Sequence, residues 1–172
     1  MDELPRLIII RGNSGSGKST LAAELRRHTG RKCALVGQDM LRRVVLKEKE
    51  IEGGDNIDLI EQTVTFALGR RYDVVLEGIL ARSRYGPMLW RLAHSHLLTY
   101  AYYVDVSFEE TLYRHASKPN AHEFGEKEMR RWWLENDVLG FPGEKRLSAE
   151  LSLKECIELI VSEIGKPQCS SP

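Results

Sequence analysis

The stretch Leu7–Thr20, LIIIRGNSGSGKST, decides the fold. Leu7–Ile10 sets four apolar residues in a row, three of them isoleucine. Such a run reads as a strand buried on both faces, as parallel strands are. Gly12, Gly17, Lys18 and Ser19 then satisfy G-x-x-x-x-G-K-[ST], the phosphate-binding P-loop pattern. The spacing has a mechanism. Glycines let the backbone turn tightly enough for successive N–H groups to converge on one anion. The helix that starts there adds its own unpaired N–H groups and dipole. Gly12, Asn13, Ser14, Gly15, Ser16, Gly17, Lys18, Ser19 and Thr20 are therefore expected to wrap a nucleoside triphosphate. Lys18 would reach the β- and γ-phosphates, and the Ser19 hydroxyl would ligate Mg²⁺. The competing reading, a glycine-rich turn with an accidental lysine, does not explain why a strand precedes the loop and a helix follows it.

Outward from this loop the pattern alternates. Lys18–His28 has helical spacing, with Leu21 and Leu25 one turn apart. CALVG (Cys33–Gly37) reads as a second strand, and DMLRRVVL opens a helix that should break before EGGDN. Ile57, Ile60, Val64 and Leu68 recur at helical intervals up to Gly69, placed as a C-cap glycine. YDVVLEG is a third strand, Pro87–His96 a helix with proline in its first turn, and TYAYYVDV a fourth strand. Ser107 with Glu110, and Ser152 with Glu155, make capping boxes for two later helices. SKPNAHEFGE reads as a mobile loop, KEMRRWWL as helical and GFPGEKR as a turn. Strands alternating with helices predict a parallel sheet covered on both faces. One domain is expected over residues 1–166, with a frayed tail at 167–172 and no internal repeat.

Composition narrows the function classes. In 172 residues, 25 basic and 25 acidic side chains cancel, so no whole-molecule field draws the protein to nucleic acid or anionic lipid. No run approaches the roughly 18 apolar residues of a membrane span. Three cysteines, Cys33, Cys156 and Cys169, lack metal spacing and fit a reducing compartment. The acidic opening MDELPR is unlike a secretory signal, and a cytoplasmic setting is expected.

In an open parallel sheet, ligands bind beyond the carboxyl ends of the strands. YDVVLEG offers a carboxylate at each end, separated by about 13 Å at roughly 3.3 Å per residue. Asp73 falls at the wrong edge and is expected to be a solvated strand-entry residue. Glu77 falls at the ligand edge, where it could order Mg²⁺ or touch substrate; the alternative is a surface acid. Asp39 follows the second strand and could orient and deprotonate a hydroxyl acceptor, or merely N-cap the next helix. Asp105 ends the fourth strand beside a capping box, so a structural role is expected there.

Arg114, Lys118 and His122 recur at intervals of four before and across Pro119–Asn120. Cations on such a segment, about residues 114–131, could close over a transferring phosphoryl group and exclude water. The bland reading is a solvated basic helix end, which suits the helix dipole. Arg114 and Lys118 are assigned to the nucleotide. Arg130, on the far side of the lid, is assigned to the acceptor, and Trp132 and Trp133 are expected to pack the lid hinge.

With the P-loop, GQDML after the second strand, VVLEGIL at the third and the lid opening RHASKP, the chain resembles the small P-loop kinases. These include the chloramphenicol phosphotransferase, gluconate kinase, adenylylsulfate kinase and zeta-toxin families. The resemblance runs from Leu7 to about Arg131, and the P-loop is its specific part. It implies an α/β, three-layer P-loop NTPase fold with a five-stranded, mostly parallel sheet and a helical lid. It also implies ATP as donor, a small-molecule hydroxyl as acceptor, Asp39 as general base and Arg114 as the lid arginine. Arg43 and Arg82, the latter within ILARSR (Ile79–Arg84), are assigned with Glu77 to the acceptor side. The adenine is expected near PGEKR, around Gly143. The sugar-nucleotide pocket of zeta toxins is not recognisable. The expected state is a monomer or homodimer. The rival functions are a polynucleotide 5′-hydroxyl kinase, disfavoured by the neutral composition, and a nucleotide-dependent regulatory ATPase.

Overall fold

The computed structural model describes residues 4–29, 32–117, 122 and 125–165. Its centre is a sheet of five strands: β1 (Leu7–Gly12), β2 (Cys33–Gly37), β3 (Asp73–Gly78), β4 (Thr99–Asp105) and β5 (Lys145–Ser148). They lie side by side in the order β2-β3-β1-β4-β5, and every pairing is parallel. Alternation along β1 splits the core in two. Leu7 and Ile9 face one layer, where α2 (Asp55–Gly69) and α3 (Arg82–Ser95) supply Ile60, Val64, Met88 and Leu89. Ile8 and Ile10 face the other, where α1 (Lys18–His28) and α6 (Leu153–Ile164) supply Leu21, Leu25, Ile157 and Ile160. Each such side chain contributes about 1.5–3 kcal/mol on full burial. The outcome is the expected three-layer α/β fold. The segment expected to form a lid contains α4 (Phe108–Ala116) and α5 (Glu126–Trp132). No described helix is long and apolar enough to cross a membrane.

Several local expectations are corrected. Lys145 and Arg146, read as the end of a turn, instead open the fifth strand, which Leu147 and Ser148 complete. β5 is only four residues long with one buried side chain, Leu147, so its periodicity is invisible. α3 begins at Arg82, five residues before Pro87, because Asp137 accepts the Arg82 N–H at 3.0 Å from far along the chain. α2 begins at Asp55, whose N–H, with that of Asn56, is taken by the Glu48 carboxylate. Gly69 is still helical, and Arg71 carries the left-handed turn (φ 62°). Asp73 is not solvated. It is buried and accepts from the Arg6 backbone N–H (2.8 Å) and from the Arg6 guanidinium (2.6 Å).

The loop expected between Ser117 and Glu126 falls largely outside the described residues, as do Lys118 and residues 167–172.

Candidate active site

The P-loop joins β1 to α1. Its glycines carry φ of 155° (Gly12), 80° (Gly15) and 95° (Gly17). A Cβ on Gly15 would stand 2.7 Å from the Thr111 carbonyl oxygen, and one on Gly12 would stand 2.9 Å from that of Val104. The loop is therefore pressed against β4 and α4 as well as folded on itself. No side chain caps α1, and its first turn holds no acid, so its amino end remains receptive to an anion. Lys18 is 9% exposed and donates to the Asn13 carbonyl at 3.0 Å. The Ser16 hydroxyl is buried and has no hydrogen-bond partner among the described residues.

Asn13 does more than line this loop. Its amide nitrogen donates to the Leu134 carbonyl (2.8 Å), and its amide oxygen accepts the Leu134 N–H (2.9 Å). The P-loop is thus tied to the chain leaving α5. Arg11, buried just before it, donates to the Leu80 carbonyl and to Asp137, and lies 3.5 Å from Glu144. Desolvation lowers the Arg11 pKa, opposed by Asp137 and Glu144. Sequence reasoning missed this clamp. An arginine at the end of an apolar run was the available signal, since such a residue must find carboxylates or carbonyls if buried.

The acids fall at the sheet edge where the strands end. Glu77 accepts from the Ser19 hydroxyl at 3.0 Å. It also fills the space beside Gly37, where a Cβ would lie 3.0 Å from its carboxylate. Asp39 stands at the amino end of a π-helical turn, Met40–Val45, but makes no side-chain capping bond. Its exposed carboxylate instead accepts from Arg42 at 3.1 Å. Two oxygen-donor groups, Ser19 and Glu77, therefore meet at the phosphate end of the loop, and this donor chemistry suits Mg²⁺. Asp105 pairs with Arg146 at 2.9 Å.

The cations of α4 and α5 divide. Arg114 donates to the Ser16 carbonyl (2.8 Å) and to Glu110 (2.6 Å), so its guanidinium lies against the P-loop. Arg130, on α5, is exposed, paired with Glu126 at 2.8 Å and stacked 4.4 Å from the Phe108 ring. Through that ring contact it packs α5 against α4. Trp133 meets Phe108 edge-on at 5.3 Å. Arg43 and Arg82 are both exposed, Arg82 reaching the Val138 carbonyl at 3.5 Å.

A cleft of about 510 Å³ opens beside the P-loop, lined by Thr20, Val104, Arg114 and the Ser148–Ser152 connection into α6. Gly143 is not part of it. That glycine precedes β5, at the opposite edge of the sheet, and lines a separate cavity with Trp90 and Phe141. The sequence expectation took the turn before β5 for the connection before α6, because β5 itself carries no visible period.

A family model described as an AAA domain matches residues 7–134. No protein of curated function matches the chain at a significant level. Among solved structures, the Mycobacterium tuberculosis APS kinase CysC, in complex with AMPPNP and APS, aligns at 16% identity and a TM-score of 0.73, covering 94% of this chain and 98% of that one. A gluconokinase from Sinorhizobium meliloti 1021 aligns at 17% identity and 0.68, covering 94% and 93%. A chain of the Pnkp1/Rnl/Hen1 RNA repair complex aligns at 21% identity and 0.55, covering 76% of this chain and 43% of that one. The fold is that of the small P-loop kinases.

Proposed function

The chain belongs to the AAA-domain family, and from that premise we propose that it is a Mg²⁺-dependent kinase transferring the γ-phosphoryl group of ATP to a hydroxyl of a small molecule. One observation carries the reading: the P-loop, Glu77 and Asp39 all stand at the carboxyl edge of the sheet, with Arg114 against the loop.

In this reading the P-loop amides and Lys18 hold the β- and γ-phosphates. The cleft beside Thr20 and Ser148–Ser152 takes the nucleoside. Ser19 and Glu77 would hold Mg²⁺, which neutralises phosphate charge when bound. Asp39 orients the acceptor hydroxyl. As the new O–P bond forms and the bond to the β-phosphate bridging oxygen breaks, the hydroxyl proton passes to this carboxylate and ADP leaves. Arg114 lies where a cation can offset charge spreading over the transferring group. The acceptor would approach between Asp39 and the Ile79–Arg84 segment, where Arg43 and Arg82 are exposed.

The test is transfer from γ-labelled ATP to a panel of sugars, other hydroxyl metabolites, hydroxylated antibiotics and a 5′-hydroxyl oligonucleotide. Labelled product with a small hydroxyl compound supports the reading. Label on the oligonucleotide alone would make it a polynucleotide kinase, and release of phosphate to water alone would make it a regulatory ATPase.

A further inference from the structure

A ring of hydrogen bonds lies beneath Asp39. Gln38, the residue before Asp39, is 2% exposed, Tyr85 on α3 is 1% and Asn56 on α2 is 0%. The Leu80 N–H donates to the Gln38 amide oxygen at 2.9 Å. That fixes the orientation of the amide, whose nitrogen donates to the Tyr85 hydroxyl at 2.8 Å. The hydroxyl, already accepting, donates to the Asn56 amide oxygen at 2.9 Å. The Asn56 amide nitrogen donates in turn to Glu48 at 2.7 Å. The chain therefore runs in one direction, from a backbone N–H to a carboxylate, and its buried amide and hydroxyl groups are each engaged. Glu48 closes the ring. Its N–H donates to the Arg42 carbonyl at 2.9 Å, and Arg42 grips Asp39 at 3.1 Å.

Apolar packing cannot do this work. The π-helical turn that follows Asp39 buries none of its residues, although half-buried Leu41 leans on the core. Space beneath Gln38 has been kept clear for the ring: a Cβ on Gly78 would fall 2.5 Å from the Gln38 amide oxygen. Leu80, which supplies the first N–H, is held at φ 44°, a backbone conformation an L-residue adopts only when its surroundings impose it.

We propose that Tyr85, with Gln38, Asn56 and Glu48, is a positioning residue for the reaction. The ring fixes the Asp39 carboxylate relative to the end of β3, and so aims the acceptor oxygen at the γ-phosphorus. This rests on Asp39 being the general base. A small displacement of a catalytic group costs rate while leaving nucleotide binding untouched.

The test uses the full chain with MgATP, and water as the acceptor, in a four-way cycle of wild type, Tyr85→Phe, Asp39→Asn and the double variant. Tyr85→Phe removes one oxygen and keeps the aromatic ring that packs the core. Hydrolysis is expected to slow about tenfold in Tyr85→Phe, with the KM for MgATP unchanged. The double variant should be no slower than Asp39→Asn. Should Tyr85→Phe not fold, Glu48→Gln, at the far end of the chain, must give the same non-additive loss. Two results overturn the proposal: an unchanged rate in the folded ring variants, or a double variant slowed by the product of the two single effects. If Asp39→Asn alone hydrolyses ATP at the wild-type rate, the assignment of the base fails instead.

Discussion

The Ser19 hydroxyl and the Glu77 carboxylate meet at 3.0 Å, although 58 residues separate them. One opens the helix after β1 and the other ends the neighbouring β3, where Ile10 pairs with Glu77. If the pair holds Mg²⁺, Ser19→Ala and Glu77→Gln should each raise the Mg²⁺ concentration needed for half-maximal turnover, by about tenfold at a cost near 1.4 kcal/mol. Binding of ATP without Mg²⁺ should change little. Magnesium titrations of both variants check this.

Glycines at two sites separate the phosphate loop from the cavity on the opposite edge. Gly15→Ala must place a methyl 2.7 Å from a carbonyl oxygen at φ 80°, so MgATP affinity should fall at least about tenfold. Gly143→Ala also sits at positive φ, but no atom lies within 4 Å of its new methyl. It should cost about 1–2 kcal/mol of stability and leave MgATP affinity unchanged. Calorimetric titration of both variants decides whether the nucleoside cleft has been assigned to the correct edge.

Arg6 and Asp73 form an ion pair at the edge away from the phosphates, with the Asp73 side chain fully buried. Asp73→Ala removes the buried carboxylate that accepts from the Arg6 guanidinium and backbone N–H, and should cost about 3–5 kcal/mol. For a chain of this size that lowers Tm by on the order of 10 °C. Turnover per folded molecule at low temperature should stay the same, since nothing at the phosphate edge is touched. Thermal scans paired with activity at low temperature test both halves.

Acid should loosen the α6 end of the cleft beside the P-loop. Hydrogen bonds from the Ser152 hydroxyl first, then its backbone N–H, hold the Glu155 carboxyl below its usual value of 4.5. A carboxyl with a lowered folded-state pKa contributes stability above its unfolded value and loses it as pH falls through the folded one. Stability should therefore decline below about pH 4.5, and Glu155→Gln should flatten part of that decline. Urea midpoints measured against pH for the two proteins give the comparison.

Much of this was legible in the amino acids. The P-loop announced itself because backbone chemistry confines glycine, lysine and serine to fixed positions, and strand length alone assigned Asp73 and Glu77 to opposite edges. The burial of Asp73 was not legible, because its partner Arg6 is 67 residues away. The same holds for the start of α3, which depends on Asp137, and for the clamp around Arg11. β5 was missed since four residues with one inward side chain carry no period. With β5 unseen, the turn around Gly143 reads in the sequence as the connection into the last helix. The ring through Gln38, Tyr85, Asn56 and Glu48 joins four polar residues from separate elements, and no local pattern unites them.

Single-turnover transfer from γ-labelled ATP, compared between wild type and Asp39→Asn with MgATP affinity measured on the same samples, tests the central claim most directly. The account predicts a loss of about a hundredfold or more in the transfer rate with an unchanged Kd for MgATP. Equal transfer rates in the two proteins would contradict it.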